Sequence, residues 1–160
     1  MSSKVRIRVA APTDLDGIVA LDELRSGTAK PAYWARILAL YGQGDEASGR
    51  VALVAEGAEP TVQGFLFGEV RAWEFGSDPC GWIFSVAVRP EQERHGKATL
   101  LCEEAERRFG AMGVDLVRTM VQRNDIPVLS LFRSMGFVAG PFTEMEKALP
   151  AASRSREDVA

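Results

Sequence analysis

The chain has little of what a secreted, metal-binding or membrane-spanning protein needs. It holds two cysteines and a single histidine. Cys80 and Cys102 lack metal-ligand spacing, so they read as reduced structural thiols and no metal is expected. Nowhere do about 18 apolar residues run together, and the opening MSSKVRIRVAA has no long apolar segment behind its charges. A cytoplasmic protein is the expectation. Excess positive charge is missing too: 19 basic against 22 acidic residues give a net charge of −3. No global field therefore draws the chain to nucleic acid or to an anionic membrane. Neither G-x-G-x-x-G nor G-x-x-x-x-G-K-[ST] occurs, which disfavours a doubly wound nucleotide-binding domain. Internal repeats, long linkers and low-complexity blocks are absent as well.

What is present suits one domain. A chain of 160 residues with 46% apolar content can bury about two-thirds of its unfolded surface. Residues 1–149 read as that domain, and the polar stretch 150–160 as a mobile tail. VRIRVA at 5–10 alternates apolar with basic residues, as a strand with one buried face does. Thr13 then opens a helix, with Asp16 completing an imperfect capping box and Leu15, Ile18, Val19 and Asp22 along one face. A second helix carries Trp34, Ile37, Leu38 and Tyr41 at i, i+3, i+4 and i+7. Three strand-like runs follow at 50–56, 62–75 and 81–88, parted by GAEPT and GSDPCG, which predicts an antiparallel meander.

Beyond a charged loop, Ala98, Leu101, Cys102, Ala105 and Phe109 form a helical stripe that Gly110 or Gly113 ends. DLVRTMVQ at 115–122 predicts a further strand. Asn124 or Asp125 then caps a helix bearing Val128, Leu131, Phe132 and Met135. A last strand is expected over 137–149, interrupted at Gly140-Pro141. The fold class is α/β (α+β), with a mixed, mostly antiparallel central sheet flanked by helices. An open sheet edge, or the C-terminal strand, is expected to support a homodimer.

The most informative stretch is residues 82–101, WIFSVAVRPEQERHGKATLL, where an apolar strand stops at a proline, crosses a charged loop and restarts as a helix. A helix start presents backbone N–H groups without internal partners and carries partial positive charge. Gly96 admits a ligand close to the backbone, and Arg94, His95 and Lys97 add side-chain donors. A phosphate-bearing ligand is the first expectation.

This order of elements is similar to the GNAT superfamily of N-acetyltransferases. Val86-Ala87-Val88-Arg89-Pro90 resembles the V-x-P end of the family's fourth strand. Arg94-His95-Gly96-Lys97-Ala98 resembles the end of its Q/R-x-x-G-x-G/A pyrophosphate loop, and Asn124-Asp125 with Leu131 through Phe137 resembles its N…L-Y-x-x-x-G-F segment. The likeness of order spans roughly residues 4–149; its specific motifs cover 86–101 and 124–137. Two positions depart from the pattern. Glu93 stands where the family usually has Gln or Arg, and Phe132 where many members carry a tyrosine that protonates the leaving thiolate.

The resemblance implies acetyl-CoA as co-substrate and a primary amine of a small molecule or peptide as acceptor. It implies that backbone groups of Val86, Ala87 and Val88 hold the pantetheine arm, the amide of Val86 or Ala87 meeting the thioester oxygen. Arg94, His95, Gly96, Lys97, Ala98 and Thr99 would hold the pyrophosphate, with Asn124 and Phe132 on the other wall of the cleft. Where many members place a glutamate in the fourth strand, this chain reads Phe84-Ser85. The proton route then falls to Glu69 or Glu74, acting directly or through water near Ser85. The alternative is a non-catalytic acyl-CoA-binding sensor or regulatory subunit.

Overall fold

The alternating residues near the N-terminus form strand β1 (Arg6–Val9), and the meander forms β2 (Arg50–Glu56), β3 (Val62–Arg71) and β4 (Cys80–Val88). These belong to a computed structural model that describes residues 5–42, 46–90 and 96–151. With β5 (Val117–Thr119) they make one sheet in the order β1-β2-β3-β4-β5, antiparallel except for the parallel β4–β5 pair. The helices are α1 (Leu15–Ser26), α2 (Pro31–Tyr41), α3 (Lys97–Ala111) and α4 (Ile126–Ser134). The described residues thus form the mixed, mostly antiparallel sheet with helices that the letters predict. By compactness the chain forms two units, Met1–Met120 and Val121–Ala160. No helix among the described residues is long and apolar enough to cross a membrane.

Strand parity gives the sheet of the first unit two distinct faces. Val54, Phe65 and Phe67 join Ile18 and Leu21 of α1 and Trp34, Ile37 and Leu38 of α2 in one buried cluster. Burying each large apolar side chain there stabilises by about 1.5–3 kcal/mol. Trp34 anchors the cluster, its ring 5.1 Å from Phe65 and 5.4 Å from Phe67. Its indole N–H donates to Asp22 at 2.9 Å, and Lys30 donates to the same oxygen, so the polar residue in line with the apolar stripe of α1 is satisfied.

The opposite face takes Leu101, Cys102, Ala105 and Phe109 of α3, all buried. It accepts them because glycines leave room. A Cβ on Gly81 would sit 2.7 Å from the Phe109 ring, and one on Gly68 would sit 3.0 Å from that ring and 2.6 Å from the Trp82 carbonyl oxygen. Both cysteines are free and buried. Burial, with Glu106 and Glu103 nearby, pushes the Cys102 thiol up to about 12, as expected of an inert structural thiol.

Four local expectations are corrected. The chain enters α1 through a 3-10 turn, Pro12–Asp14, and the carboxylate that closes it belongs to Asp14: it accepts the Ala11 N–H at 2.7 Å and a two-pronged bond from Arg8 at 2.7 and 2.8 Å. Strand β3 ends at Arg71, because Trp73 and Phe75 take left-handed backbone angles (φ 64° and 54°) that break the ladder. β5 is shorter than predicted. Residues 137–151 form no strand: Val138, Phe142, Met145 and Leu149 are exposed, and no neighbouring strand completes a ladder.

Candidate functional site

The first half of β4 is paired on both sides, since Gly81, Trp82 and Ile83 face Val117, Arg118 and Thr119 of β5 while β3 runs along the other edge. The Thr119 hydroxyl donates to the Ile83 carbonyl at 2.9 Å, and there β5 ends. Residues 84–88 continue along β3 with no β5 partner. Their second backbone edge is unpaired within the sheet. This stretch contains Ser85, Val86, Ala87 and Val88, so the residues expected to meet a thioester arm lie on a strand with an unused edge.

A bulge sits where the two halves of β4 meet. The β3–β4 register slips between Phe67 and Gly68: Ser85 faces Phe67, Ile83 faces Gly68, and Phe84 has no partner. The slip puts Phe84 and Ser85 on the same face, where the Phe84 ring meets Tyr41 and Phe67 at 5.3 and 6.5 Å.

Gly96 is the N-cap of α3 with φ 75°, a conformation that L side chains resist. No side chain caps this helix, and its first internal bond runs from the Leu100 N–H to the Gly96 carbonyl at 2.9 Å. The N–H groups of Ala98 and Thr99 therefore have no acceptor within the helix. The Lys97 side chain is buried, so the contribution of this turn is its backbone. Together the free edge of β4 and the uncapped start of α3 fit a ligand with a pantetheine-like arm and a diphosphate. Arg94 and His95, with Glu93, lie outside the described residues.

The two candidate bases occupy different settings. Glu74 is exposed in the turn Glu74–Gly76. Glu69 is half-buried on β3, two residues along from the bulge, and each of its oxygens has a partner. Oε2 accepts the Tyr41 hydroxyl at 2.8 Å, and Oε1 accepts Arg71 Nε at 3.3 Å. Burial, then the bond to Glu69, pushes the Tyr41 phenol up to about 12, so it stays a donor at neutral pH. Tyr41 and Arg71 were not legible as site residues. The only signals were a polar-tipped aromatic ending an apolar stripe and an arginine two positions from a glutamate.

In the second unit, Asp125 caps α4 by accepting the Val128 N–H at 3.2 Å, and Asn124 is exposed in the preceding turn. Phe132 meets Phe137 edge-on at 5.1 Å. A hollow of about 460 Å³ beside Arg8, Asp14, Glu56 and Thr61 offers no comparable chemistry, because Arg8 is already bound by Asp14 and Glu56.

The model of the acetyltransferase (GNAT) family matches residues 20–137. Among solved structures, aminoglycoside 6'-N-acetyltransferase AAC(6')-Ih from Acinetobacter baumannii is similar, with TM-score 0.74 and 17% identity over 92% of this chain and 100% of that one. Aminoglycoside N-acetyltransferase AAC(6')-Iy in complex with CoA is similar at TM-score 0.73 and 18% identity, over 97% and 98%. A transcriptional regulator from Bacillus halodurans C-125 shares the fold at TM-score 0.75 and 18% identity, over 91% and 100%. A comparison with curated proteins returns no match. At these identities the solved structures speak for the fold alone.

Proposed function

Because this chain belongs to the acetyltransferase (GNAT) family and is an acyltransferase, we propose that it transfers the acetyl group of acetyl-CoA to a primary amine by direct attack. The observation that carries this reading is the release of β4 from β5 after Ile83 and Thr119, which leaves residues 84–88 with a free backbone edge. Acetyl-CoA supplies an activated acyl group. The protein's part is to hold and orient it: Val86, Ala87 and Val88 along the arm, the amide of Val86 or Ala87 at the carbonyl oxygen, and Gly96, Ala98 and Thr99 at the diphosphate. By the resemblance, Arg94, His95 and Lys97 are further expected contacts for the diphosphate, and Asn124 and Phe132 are further expected contacts for the cofactor.

Glu69 takes precedence over Glu74 as proton acceptor, through water near Ser85, because it lies on the face of the bulge and is aimed by Tyr41 and Arg71. A phenyl ring at Phe132 donates no proton, so the departing thiolate takes one from water or from the amine. The acceptor is a small molecule or a peptide, and a homodimer formed through a sheet edge is part of the reading.

The first test is thermal. Acetyl-CoA at 100 times its Kd should stabilise the fold by about 2.7 kcal/mol, and Gly96→Val should remove the shift. No shift at millimolar acetyl-CoA would sink the reading. Thiol release on adding amines separates turnover from mere binding, and sedimentation as a monomer would remove the dimer.

A further inference from the structure

Paired residues in a sheet share a face, and one row crosses four strands: Arg50 on β2 faces Glu69 on β3, which faces Trp82 on β4, which faces Arg118 on β5. Arg71 reaches into this row, its guanidinium carbon 5.1 Å from the Trp82 ring centroid. Arg50 lies in the same way on Tyr41, at 5.2 Å. The Arg71 guanidinium therefore pairs with Glu69, and that of Arg50 stands over Tyr41, the other partner of Glu69; Glu74, in the exposed turn beyond, forms no ion pair among the described residues. A polycationic acceptor would be repelled here.

Arg71 and Arg50 are fixed but not used up. Arg71 gives only its Nε, to Glu69, and stands over an indole, while among the described residues neither outer nitrogen has a hydrogen-bond partner. Arg50 gives Nη1 to the Leu40 carbonyl at 3.2 Å. Arg118 gives Nη1 to Ser77 Oγ at 2.7 Å and touches Cys80 Sγ at 3.4 Å. A planar guanidinium held at Nε and open at its outer edge matches a carboxylate's two oxygens. The row lies next to the bulge, and a rise of about 3.3 Å per residue puts Ser85 roughly 7–10 Å from Trp82 along the strand.

Resting on the acetyl-transfer reading, we infer that Arg71, with Arg50, binds a carboxylate of the acceptor. The acceptor is then a zwitterion whose amine stands several carbons from its acid group. A simple amine, a polyamine or an aminoglycoside lacks the group these residues recognise.

The test is steady-state thiol release with a matched series: a six-carbon ω-amino acid, the alkylamine without its carboxylate, the diamine of the same length, and the aminoalkyl phosphate. The amino acid should exceed the alkylamine in kcat/KM by about tenfold or more, the worth of one charge-assisted bond. R71Q should erase the preference, read as the ratio of kcat/KM for the amino acid to that for the alkylamine within each variant, so that any loss from the Arg71–Glu69 bond cancels; R71K should restore it only in part, R50Q should weaken it, and R107Q on the α3 surface should leave it unchanged. Acetyl-CoA-induced stabilisation is followed in each variant, so a folding defect is recognised. Preference for the diamine or the phosphate, a ratio unchanged in both R71Q and R50Q, or no turnover of the amino acid while acetyl-CoA binds overturns this inference alone. Absence of acetyl-CoA binding overturns the parent reading.

Discussion

Asp14 and Glu69 are two carboxylates with the same kinds of partner and opposite surroundings. Asp14 is 4% exposed, gripped by both prongs of Arg8 and by a backbone N–H. Its burial opposes charge, but the Arg8 fork and the Ala11 N–H outweigh it and hold the carboxyl below its ordinary range. Glu69 is 27% exposed and takes one bond from Arg71 and one from Tyr41, leaving the arginine's outer edge open. A carboxylate that is sealed and fully bonded is a staple between β1 and the start of α1. One that is half-open, beside an arginine with donors to spare, is what the proposed acceptor site requires.

The largest expected effect tests the staple. Asp14→Ala leaves Arg8 without its main partner and should cost about 3–5 kcal/mol, read by urea denaturation, with KM for acetyl-CoA unchanged. Because the folded pKa of Asp14 is depressed, its stabilisation is present above the unfolded value of about 3.9 and is lost as pH falls through the folded one. Asp14→Asn should flatten that acid limb; an unaltered limb would deny Asp14 this part.

Next comes Glu69→Gln. It should lower kcat about 100-fold or more while melting close to the parent. A variant with full kcat would return the proton route to Glu74 or to solvent. Gly81→Ala, on the α3 face, drives a methyl into the Phe109 ring and should cost about 1–3 kcal/mol, visible as a lower Tm with kinetics intact. Tyr41→Phe is the smallest change, about 1 kcal/mol for one hydrogen bond. The raised Tyr41 pKa also means stability fully present below the unfolded value of about 10, then lost as pH rises toward the folded value near 12. The Tyr41 phenol should titrate late in ultraviolet absorbance, compared with the Tyr41→Phe variant; an ordinary Tyr41 titration would contradict the Tyr41–Glu69 bond.

Much of the fold was legible because it depends on near neighbours in the chain. The stripes of α2 and α3, the meander over 50–88 and the glycine at the head of α3 follow from i+2, i+3 and i+4 spacing and from turn residues. The misreadings mark where local pattern met a non-local condition. Apolar letters at Val138, Met145 and Leu149 suggested a strand, yet a strand exists only with a partner edge. Trp73 and Phe75 looked like a continuation of β3 until their backbone turned left-handed.

Residue order alone was enough to set out the succession of strands and helices and the glycine at the head of α3, since such features are won or lost within a few positions. It could not place Tyr41 on Glu69, 28 residues away, nor line up Arg50, Glu69, Trp82 and Arg118, nor leave Phe84 unpaired. Those follow from register between strands, which inter-strand hydrogen bonds and packing choose together, and a slip of one residue moves every side chain to the other face.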